Sequence, residues 1–131
     1  MTNQKRTAGE QARRRVMGAE FVDAALEGAS DYELPLQELT MEHAWGVAWT
    51  RDELDLKTRS MITISMLIAQ RAFEELKGHL RGALNNGVTP SEIREVIIHS
   101  AVYCGYPAAL SAMRVAKEVI EKSRDFSETT D

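Results

Sequence analysis

The segment that decides the fold class is residues 55–92, DLKTRSMITISMLIAQRAFEELKGHLRGALNNGVTPSE. Residues 61–69 are apolar around nearly the whole circumference of a helix, which is typical of a helix buried on most sides. Residues 73–86 follow with helical spacing, and Gly87 suits the left-handed position that closes a helix. No strand pattern separates the two runs, so the segment predicts consecutive packed helices.

Helical signals continue on both sides of this segment. Thr89 and Glu92 form a capping box with Pro90 at the first helical position, so another helix begins there. Asp55 is a good N-cap for the apolar helix that follows it. The chain is therefore predicted to be all-α, with about six helices. Their expected ranges are residues 9–28, 36–49, 56–72, 73–86, 90–104 and 107 onward.

The composition is that of one globular domain. The chain has 131 residues, of which 44% are apolar and 27% charged. We predict a single domain over residues 1–131, with frayed tails at residues 1–6 and 124–131. No run reaches the roughly 18 apolar residues of a membrane span, and the polar N-terminus lacks a signal-peptide core. We expect a cytoplasmic protein that does not contact membranes.

Charge and cysteine content exclude two further classes. A net charge of -4 and a pI near 5.4 argue against a nucleic-acid-binding protein. The basic cluster at residues 13–15 lies within an amphipathic pattern and is interpreted as a solvated helix face. Cys104 is the single cysteine, which excludes an intrachain disulfide and a dithiol–disulfide cycle within one chain.

The apolar circumference of residues 61–69 also bears on assembly. A chain of this size has too few other residues to cover such a helix on every side. We therefore predict a homo-oligomer in which other subunits help to bury it.

Glu75 and His79 are the first candidates for chemistry. They lie four residues apart and share one face of a helix. A carboxylate beside an imidazole fixes the tautomer of the ring and raises its basicity, as a proton-transfer pair requires. The same spacing also suits a surface ion pair worth about 0.2–0.5 kcal/mol. The spacing alone leaves both interpretations open.

His43, Trp45 and Trp49 form a second group. They can wall a pocket with aromatic faces and a polar tip, or they can be core tryptophans beside an interface histidine. Arg59, in the first turns of a helix, suits either a bidentate carboxylate ligand or an ordinary intersubunit salt bridge. Cys104 is interpreted as a small hydrophobe and His99 as structural. The scattered histidines and the absence of HExxH and CxxC motifs predict no metal site.

Several strings of residues resemble the γ-carboxymuconolactone decarboxylase family. They occur in order, in a chain of the expected length, and together they cover nearly the whole chain. Their order makes the resemblance specific, although each string alone is weak. The strings are residues 42–46 (EHAWG), 58–60 (TRS), 74–76 (EEL), 79–87 (HLRGALNNG) and 101–105 (AVYCG), followed by Pro107.

The wider superfamily includes the alkylhydroperoxidase AhpD-like proteins, which carry two cysteines before a histidine on the corresponding helix. His79 stands at that histidine, whereas the cysteine positions hold Ala72 and Glu75. The glutamate of that redox branch falls at about Ser60. Thiol–disulfide peroxidase chemistry is therefore excluded, and the decarboxylase branch is favoured.

The resemblance implies an AhpD-like helical oligomer, a trimer or a hexamer, of which we predict the hexamer. It implies a carboxy-lyase that needs no cofactor and converts 4-carboxymuconolactone, a lactone dicarboxylate, into β-ketoadipate enol-lactone. That reaction belongs to protocatechuate (aromatic compound) degradation. Two alternatives stay open: a decarboxylase of a different small carboxylated lactone, and a non-catalytic helical oligomerisation or binding module.

The implied reaction suggests roles for the candidate residues. His79, oriented by Glu75, is the predicted proton donor to the α-carbon of the lactone. Arg59, with Arg81 as the reserve, is predicted to anchor the anionic side chain of the substrate. The remaining candidates are His43 or Trp45 as donor to the lactone oxygen, and Tyr103 and Cys104 as wall residues.

Overall fold

The computed structural model describes the backbone of residues 2–130 and the side chains of residues 4–124. Every regular element in that part of the chain is a helix, which confirms the predicted all-α class. Seven α-helices and one π-helix occur there, slightly more than the six expected. In chain order they are α1 (Thr2–Met17), α2 (Ala19–Gly28), α3 (Leu34–Thr40), the π-helix (Met41–Ala48), α4 (Leu56–Gln70), α5 (Phe73–Asn85), α6 (Pro90–Cys104) and α7 (Tyr106–Thr130).

The first predicted helix is in fact two helices, because the chain breaks at Gly18. This residue has a φ of 94°, a left-handed value that residues with a side chain rarely adopt. Its amide still donates to the carbonyl oxygen of Arg14 at 2.9 Å, so α1 closes normally before α2 begins. The apolar spacing continued through the break, and the spacing alone therefore predicted one helix.

The second predicted helix is also divided, into α3 and the π-helix. In a π-helix each amide donates to the carbonyl five residues earlier, which widens the turn. The amide of Trp49 closes the element by donating to the carbonyl oxygen of Ala44 at 3.2 Å. Residues on this element consequently face other directions than an α-helical projection of the sequence predicts.

Contacts between Cα atoms divide the chain into two compact units, residues 1–56 and 57–131. The single domain predicted from the sequence stays a prediction. In the N-terminal unit, α1 packs along the π-helix and against α2, and α3 also contacts the π-helix. The buried apolar side chains of this unit are Ala12, Val16, Met17, Val22, Met41 and Trp45.

In the C-terminal unit, α7 packs against α5 and α6. Ile64 and Ile68 of α4 contribute to the same apolar cluster as Leu76 and Leu80 of α5. The Nδ2 of Asn86 donates to the buried Oγ of Ser60 at 2.9 Å, which joins the end of α5 to the first turns of α4. The other buried members of the cluster are Ala83, Val88, Ile93, Ile97, Ala101, Ala108, Ala109, Ala112, Ala116 and Val119.

Two predicted helix boundaries in this unit are confirmed, whereas α4 ends at Gln70 instead of residue 72 and α7 begins at Tyr106 instead of residue 107. The amide of Glu92 donates to Thr89 Oγ1 at 3.1 Å, and the amide of Thr89 donates to Glu92 Oε1 at 3.0 Å, which completes the capping box. Gly87 has a φ of 89°, the left-handed value expected after α5. Asp55, the last residue before α4, belongs to the N-terminal unit, and its N-cap role stays a prediction.

One side of α4 is exposed to solvent in the single chain. Ser60, Ile64 and Ile68 are buried, whereas Ile62 is 38% and Met66 is 59% exposed. Coverage of this helix by other subunits stays a prediction. The frayed tails also stay a prediction, since the described backbone is helical from Thr2 and as far as Thr130. None of the helices in the described part of the chain is long and apolar enough to cross a bilayer.

Candidate active site

Helix α5 carries the predicted proton-transfer pair. Leu76 and Leu80 anchor the helix in the core, which leaves His79 half-buried beside them. The Nδ1 atom of His79 is shielded from solvent. Glu75, one turn earlier, is exposed, and among the described side chains it makes no hydrogen bond or ion pair. The shared face permits the predicted contact, for which the Glu75 carboxylate has to rotate toward the ring.

The two candidate anion-binding arginines lie on neighbouring helices of the C-terminal unit. Arg59 occupies the first turns of α4 and is half-buried, with its Nε atom shielded from solvent. The Oγ1 of Thr63 donates to the carbonyl oxygen of Arg59 at 2.8 Å, so the backbone of this turn is held in place. Arg81 is also half-buried and lies on α5, two residues after His79.

The π-helix carries His43 and Trp45. His43 is exposed, whereas Trp45 is buried and stacks on Trp49, with ring centroids 4.9 Å apart and an interplanar angle of 26°. Short stretches of π-helix occur often at functional sites, because the wider turn redirects side chains. Trp45 is therefore fixed by packing, and the imidazole of His43 is accessible.

The backbones of α1 and the π-helix touch at two glycines. A Cβ at Gly9 would overlap the carbonyl oxygen of Met41 and lie 2.8 Å from the amide nitrogen of Gly46. A Cβ at Gly46 would overlap the carbonyl oxygen of Lys5. The obstructing atoms belong to the backbone, so neither contact can be relieved by a side-chain rotation. This contact fixes the position of the segment that carries His43 and Trp45.

The predicted wall residues lie at the end of α6. Tyr103 is 78% exposed, and its ring is 5.2 Å from that of His99, at an angle of 44°. Cys104 is half-buried and has a free thiol. The structure thus shows that His99 lies beside the candidate residue Tyr103, whereas the sequence had predicted that His99 lies outside any cluster.

A large groove lies elsewhere in the C-terminal unit. It runs between α4 and α6 with a volume of about 790 Å³, and none of the predicted site residues lines it. Its wall is mostly apolar and opens broadly to solvent, and it includes no lysine or arginine to hold the carboxylates of a small dianion. We therefore keep the candidate site on α5. Representative lining residues are Met61, Ile62, Ser65, Glu95, Val96 and His99.

One polar residue was misjudged from the sequence. Arg13, interpreted above as part of a solvated face, is buried, with 8% of its surface exposed. The signal was present, because residue 13 lies on the buried stripe of α1 formed by Gly9, Ala12, Val16 and Met17 at helical spacing. The neighbouring Arg15 is exposed, as expected.

The structure therefore groups the candidates by element. Glu75, His79 and Arg81 share α5, His43 and Trp45 share the π-helix, and Arg59 lies alone on α4. Within the described residues, no three His, Cys, Asp or Glu side chains are placed to hold a metal ion.

Comparison with known proteins gives the class. The chain belongs to the carboxymuconolactone decarboxylase family, whose profile matches residues 35–118. It is 39% identical over 118 residues to the 4-carboxymuconolactone decarboxylase of Acinetobacter baylyi, covering 90% of this chain and 88% of the relative. It is 47% identical over 120 residues to the nitrosuccinic acid decarboxylase of Metarhizium robertsii, covering 92% of this chain and 84% of the relative. Both relatives are named decarboxylases, in agreement with the carboxy-lyase expected from the sequence.

Proposed function

We propose that the protein decarboxylates 4-carboxymuconolactone to β-ketoadipate enol-lactone, in protocatechuate degradation. The observation that carries this proposal is the 39% identity to a decarboxylase of that substrate along 90% of the chain. The half-buried imidazole of His79 on α5 supports it, because the reaction needs a general acid sheltered from bulk water.

The chemistry of this substrate needs no external electron acceptor. The leaving carboxylate sits on the γ-carbon of an α,β-unsaturated lactone. When the carbon–carboxylate bond breaks, its electron pair moves through the ring double bond to the lactone carbonyl and forms a dienolate. A proton delivered to the α-carbon then completes the reaction. The protein has to hold the acetate arm, stabilise the oxyanion and supply the proton.

Nitrosuccinic acid is a second candidate substrate, favoured by the 47% identity to its decarboxylase. Here the nitro group accepts the electron pair as a nitronate, which is then protonated on carbon. The two substrates share one unit: the carbon that loses CO₂ also bears a CH₂–COO⁻ arm and a group that accepts electrons. One set of protein groups can therefore serve both reactions, and the difference between them lies in the space around the electron-accepting group.

The roles of the acid and the anchor follow from this scheme. His79 delivers the proton, and Glu75, one turn away on α5, stabilises its protonated form. Arg59, with Arg81 as the reserve, binds the retained carboxylate through its planar guanidinium. The leaving carboxylate faces an apolar surface, since a strong ion pair would stabilise it in the ground state and slow its loss.

The other candidates have supporting roles. The exposed imidazole of His43 or the indole of Trp45 donates to the developing oxyanion. Tyr103 and Cys104 form part of the wall of the substrate pocket. A fixed donor is the more effective, because it needs no reorganisation as charge develops. The backbone contact at Gly9 and Gly46 gives the π-helix that rigidity.

We further propose that the active form is a cytoplasmic homo-oligomer, a trimer or a hexamer, and that it needs no cofactor. The exposed apolar side chains of α4, Ile62 and Met66, support oligomerisation. Light scattering after size exclusion should show a multimer at micromolar concentration, and a stable monomer would refute the assembly. Activity should survive dialysis against a chelator.

The deciding experiment is a comparison of the two substrates with purified protein. Decarboxylation of each is followed by ultraviolet absorbance against its spontaneous rate, with a boiled sample as control. Faster turnover of 4-carboxymuconolactone supports the first proposal, and faster turnover of nitrosuccinate supports the second. Turnover of neither leaves two alternatives: another small carboxylated lactone as substrate, or a non-catalytic binding module. A panel of such lactones separates them.

A further inference from the structure

Another cavity of the C-terminal unit lies between α6 and α7, which pack against each other. It has a volume of about 260 Å³, and none of the candidate site residues lines it. Part of its lining is apolar: Ile93 and Ile97 of α6 and Ala116 of α7 are buried there, and Met113 and Ile120 of α7 are half-buried. The cavity therefore offers an apolar surface that is separate from the candidate active site.

The charged part of the same lining is mainly cationic. Arg94 of α6 and Lys117 and Arg124 of α7 contribute positive charges, and Glu121 is the single carboxylate among the described lining residues. Lys117, Glu121 and Arg124 follow one another at helical spacing, so they share one face of α7. The described lining thus carries three positive charges and one negative charge, whereas the chain as a whole has a net charge of -4.

These three cations are not neutralised by neighbouring side chains. Within the described part of the chain, the charged groups of Arg94, Lys117 and Arg124 make no ion pair or hydrogen bond. Glu118, the residue after Lys117, instead contacts two lysines outside the cavity, at 3.5 and 3.1 Å. The positive charge beside the cavity is therefore available to an anion.

A ligand can reach this site from solvent. Arg94, Lys117 and Arg124 are all exposed. One exposed cation attracts an anion only weakly, but the fields of several cations around one concave surface add. An apolar surface beside these charges adds contact area for a ligand that has both an acidic and an apolar part.

We propose that the cavity between α6 and α7 binds a small amphiphilic anion, in which an oxyanion group is attached to an apolar body. Arg94, Lys117 and Arg124 hold the oxyanion, and the apolar body packs against the isoleucines of the lining. A carboxylate and a phosphate share this chemistry, because both match a guanidinium and an ammonium. The site carries out no reaction, and it does not depend on which substrate the candidate active site decarboxylates.

The first test is calorimetric titration of the full-length protein with benzoate and with phenyl phosphate, which distinguishes a carboxylate from a phosphate. Benzyl alcohol supplies the ring without the charge, and acetate supplies the charge without the ring. At least one of the two aromatic anions should bind more tightly than both comparison compounds. Its dissociation constant should rise with salt, since exposed charges are screened. Absence of binding by both anions, or binding as weak as that of benzyl alcohol, would overturn the proposal.

The second test removes the cations. Arg94→Gln should raise the dissociation constant of the bound anion by about two- to fivefold, the usual strength of an exposed ion pair. The double variant Arg94→Gln/Lys117→Gln should raise it further. Arg114→Gln is the matched control, because it removes the same charge from an exposed position of α7 outside the cavity. Equal weakening by Arg114→Gln would reveal a general effect of charge and would contradict a site in this cavity.

The third test reverses the sign of the effect. Glu121→Gln removes the carboxylate of the described lining, so it should lower the dissociation constant by about two- to fivefold. An unchanged or higher value would count against the proposal. Melting temperatures of all variants should stay close to that of the parent, because the changed side chains are exposed.

Binding at the candidate active site gives a different result. There the anion would compete with the substrate for Arg59 or Arg81, and Arg94→Gln would leave both its inhibition constant and its dissociation constant unchanged. That outcome would show that the cavity between α6 and α7 is not the binding site. If the protein decarboxylates neither candidate substrate, the titrations still decide this proposal, because they do not depend on turnover.

Discussion

The two units of the chain differ in the interactions that determine the ends and the positions of their helices. In residues 57–131 the ends of helices follow local signals, such as the capping box at Thr89 and the left-handed Gly87. In residues 1–56 the π-helix packs closely against α1 where Gly9 meets the backbone of Met41 and Gly46 meets the backbone of Lys5, residues that are far apart in sequence. Local signals can be read from neighbouring residues, whereas a contact of this kind exists only once the chain has folded.

Because of this difference, mutations in one unit should affect mainly activity, and mutations in the other should affect mainly stability. His79 lies on a regular helix anchored by Leu76 and Leu80, so its replacement should change chemistry and leave the fold intact. The glycines of the N-terminal unit lie where backbones touch, so their replacement should change the fold first. The following predictions test that separation, from the largest expected effect to the smallest.

His79→Ala should lower kcat by about 10²–10⁴-fold, the usual contribution of a general acid. Melting temperature and oligomeric state should stay close to those of the parent, and the pH–rate profile should lose one limb. Glu75→Gln should lower the rate less, because an amide stabilises the imidazolium less well than a carboxylate does. Steady-state kinetics over a range of pH compares both variants with the parent.

His99→Ala is the control for that experiment, because it removes an exposed imidazole from α6. It should keep the parental rate. If His79→Ala instead raised KM with little change in kcat, His79 would be a binder of the anionic substrate. Glu75 would then take the proton-transfer role.

Gly46→Ala should destabilise the protein by about 1–3 kcal/mol, because the new methyl group meets backbone atoms that cannot move aside. The near-ultraviolet circular dichroism should change with it. Both tryptophans of the chain lie in this unit, and they stack at 4.9 Å. Urea denaturation and the dichroism spectrum check the two effects.

Gly28→Ala is the matched control within the same unit. A Cβ at Gly28 meets no atom within 4 Å, and its φ is not in the left-handed region. This variant should change stability by no more than about 0.5 kcal/mol, because Gly28 is the last residue of α2 and the added methyl group meets no other atom. Equal losses of stability in Gly46→Ala and Gly28→Ala would show that the close backbone contact at Gly46 is not what makes this unit sensitive to mutation.

Cys104→Ser should keep most of the turnover and lose about 1 kcal/mol of stability. The thiol is half-buried at the end of α6, and as the only cysteine it has no partner in the chain for disulfide chemistry. A variant that is folded but inactive would assign the thiol a covalent role and revise the scheme for the reaction.

Glu92→Gln should have the smallest effect, visible mainly as a pH dependence. The Thr89 amide, followed by the Lys57 ammonium at 3.0 Å, lowers the pKa of Glu92. Its carboxylate therefore stabilises the folded state above the unfolded pKa of about 4.3, and this contribution disappears as the pH falls through the folded value. The variant should be less stable than the parent at pH 7, and the difference should shrink as the pH falls below the folded-state pKa of Glu92.

Glu95→Gln is the control, since Glu95 is exposed on the same helix outside the capping box. Melting temperatures of the three proteins between pH 3 and pH 7 give the comparison. A constant difference between Glu92→Gln and the parent at every pH would contradict the assigned cause.

Much of the fold was predictable. The all-α class, the boundaries of α5 and α6 and the left-handed Gly87 followed from periodicity and capping, because those depend on residues within a few positions of each other. The break at Gly18 was missed, since apolar spacing continues across a one-residue interruption. For the site, the sequence predicted that Glu75 and His79 share a face, but not that Glu75 is exposed while His79 is sheltered.

The sequence by itself determined that the protein is a helical member of the carboxymuconolactone decarboxylase family. It also determined that the helix of the candidate site carries a histidine and no redox cysteines. Only the tertiary structure decided that residues 41–48 form a π-helix, that two glycines let it touch α1, and that Arg13 is buried against Gln37. The physical reason is the range of the interactions. Helical propensity and capping act within a turn or two, whereas burial and backbone contact depend on segments that meet only after the chain has folded.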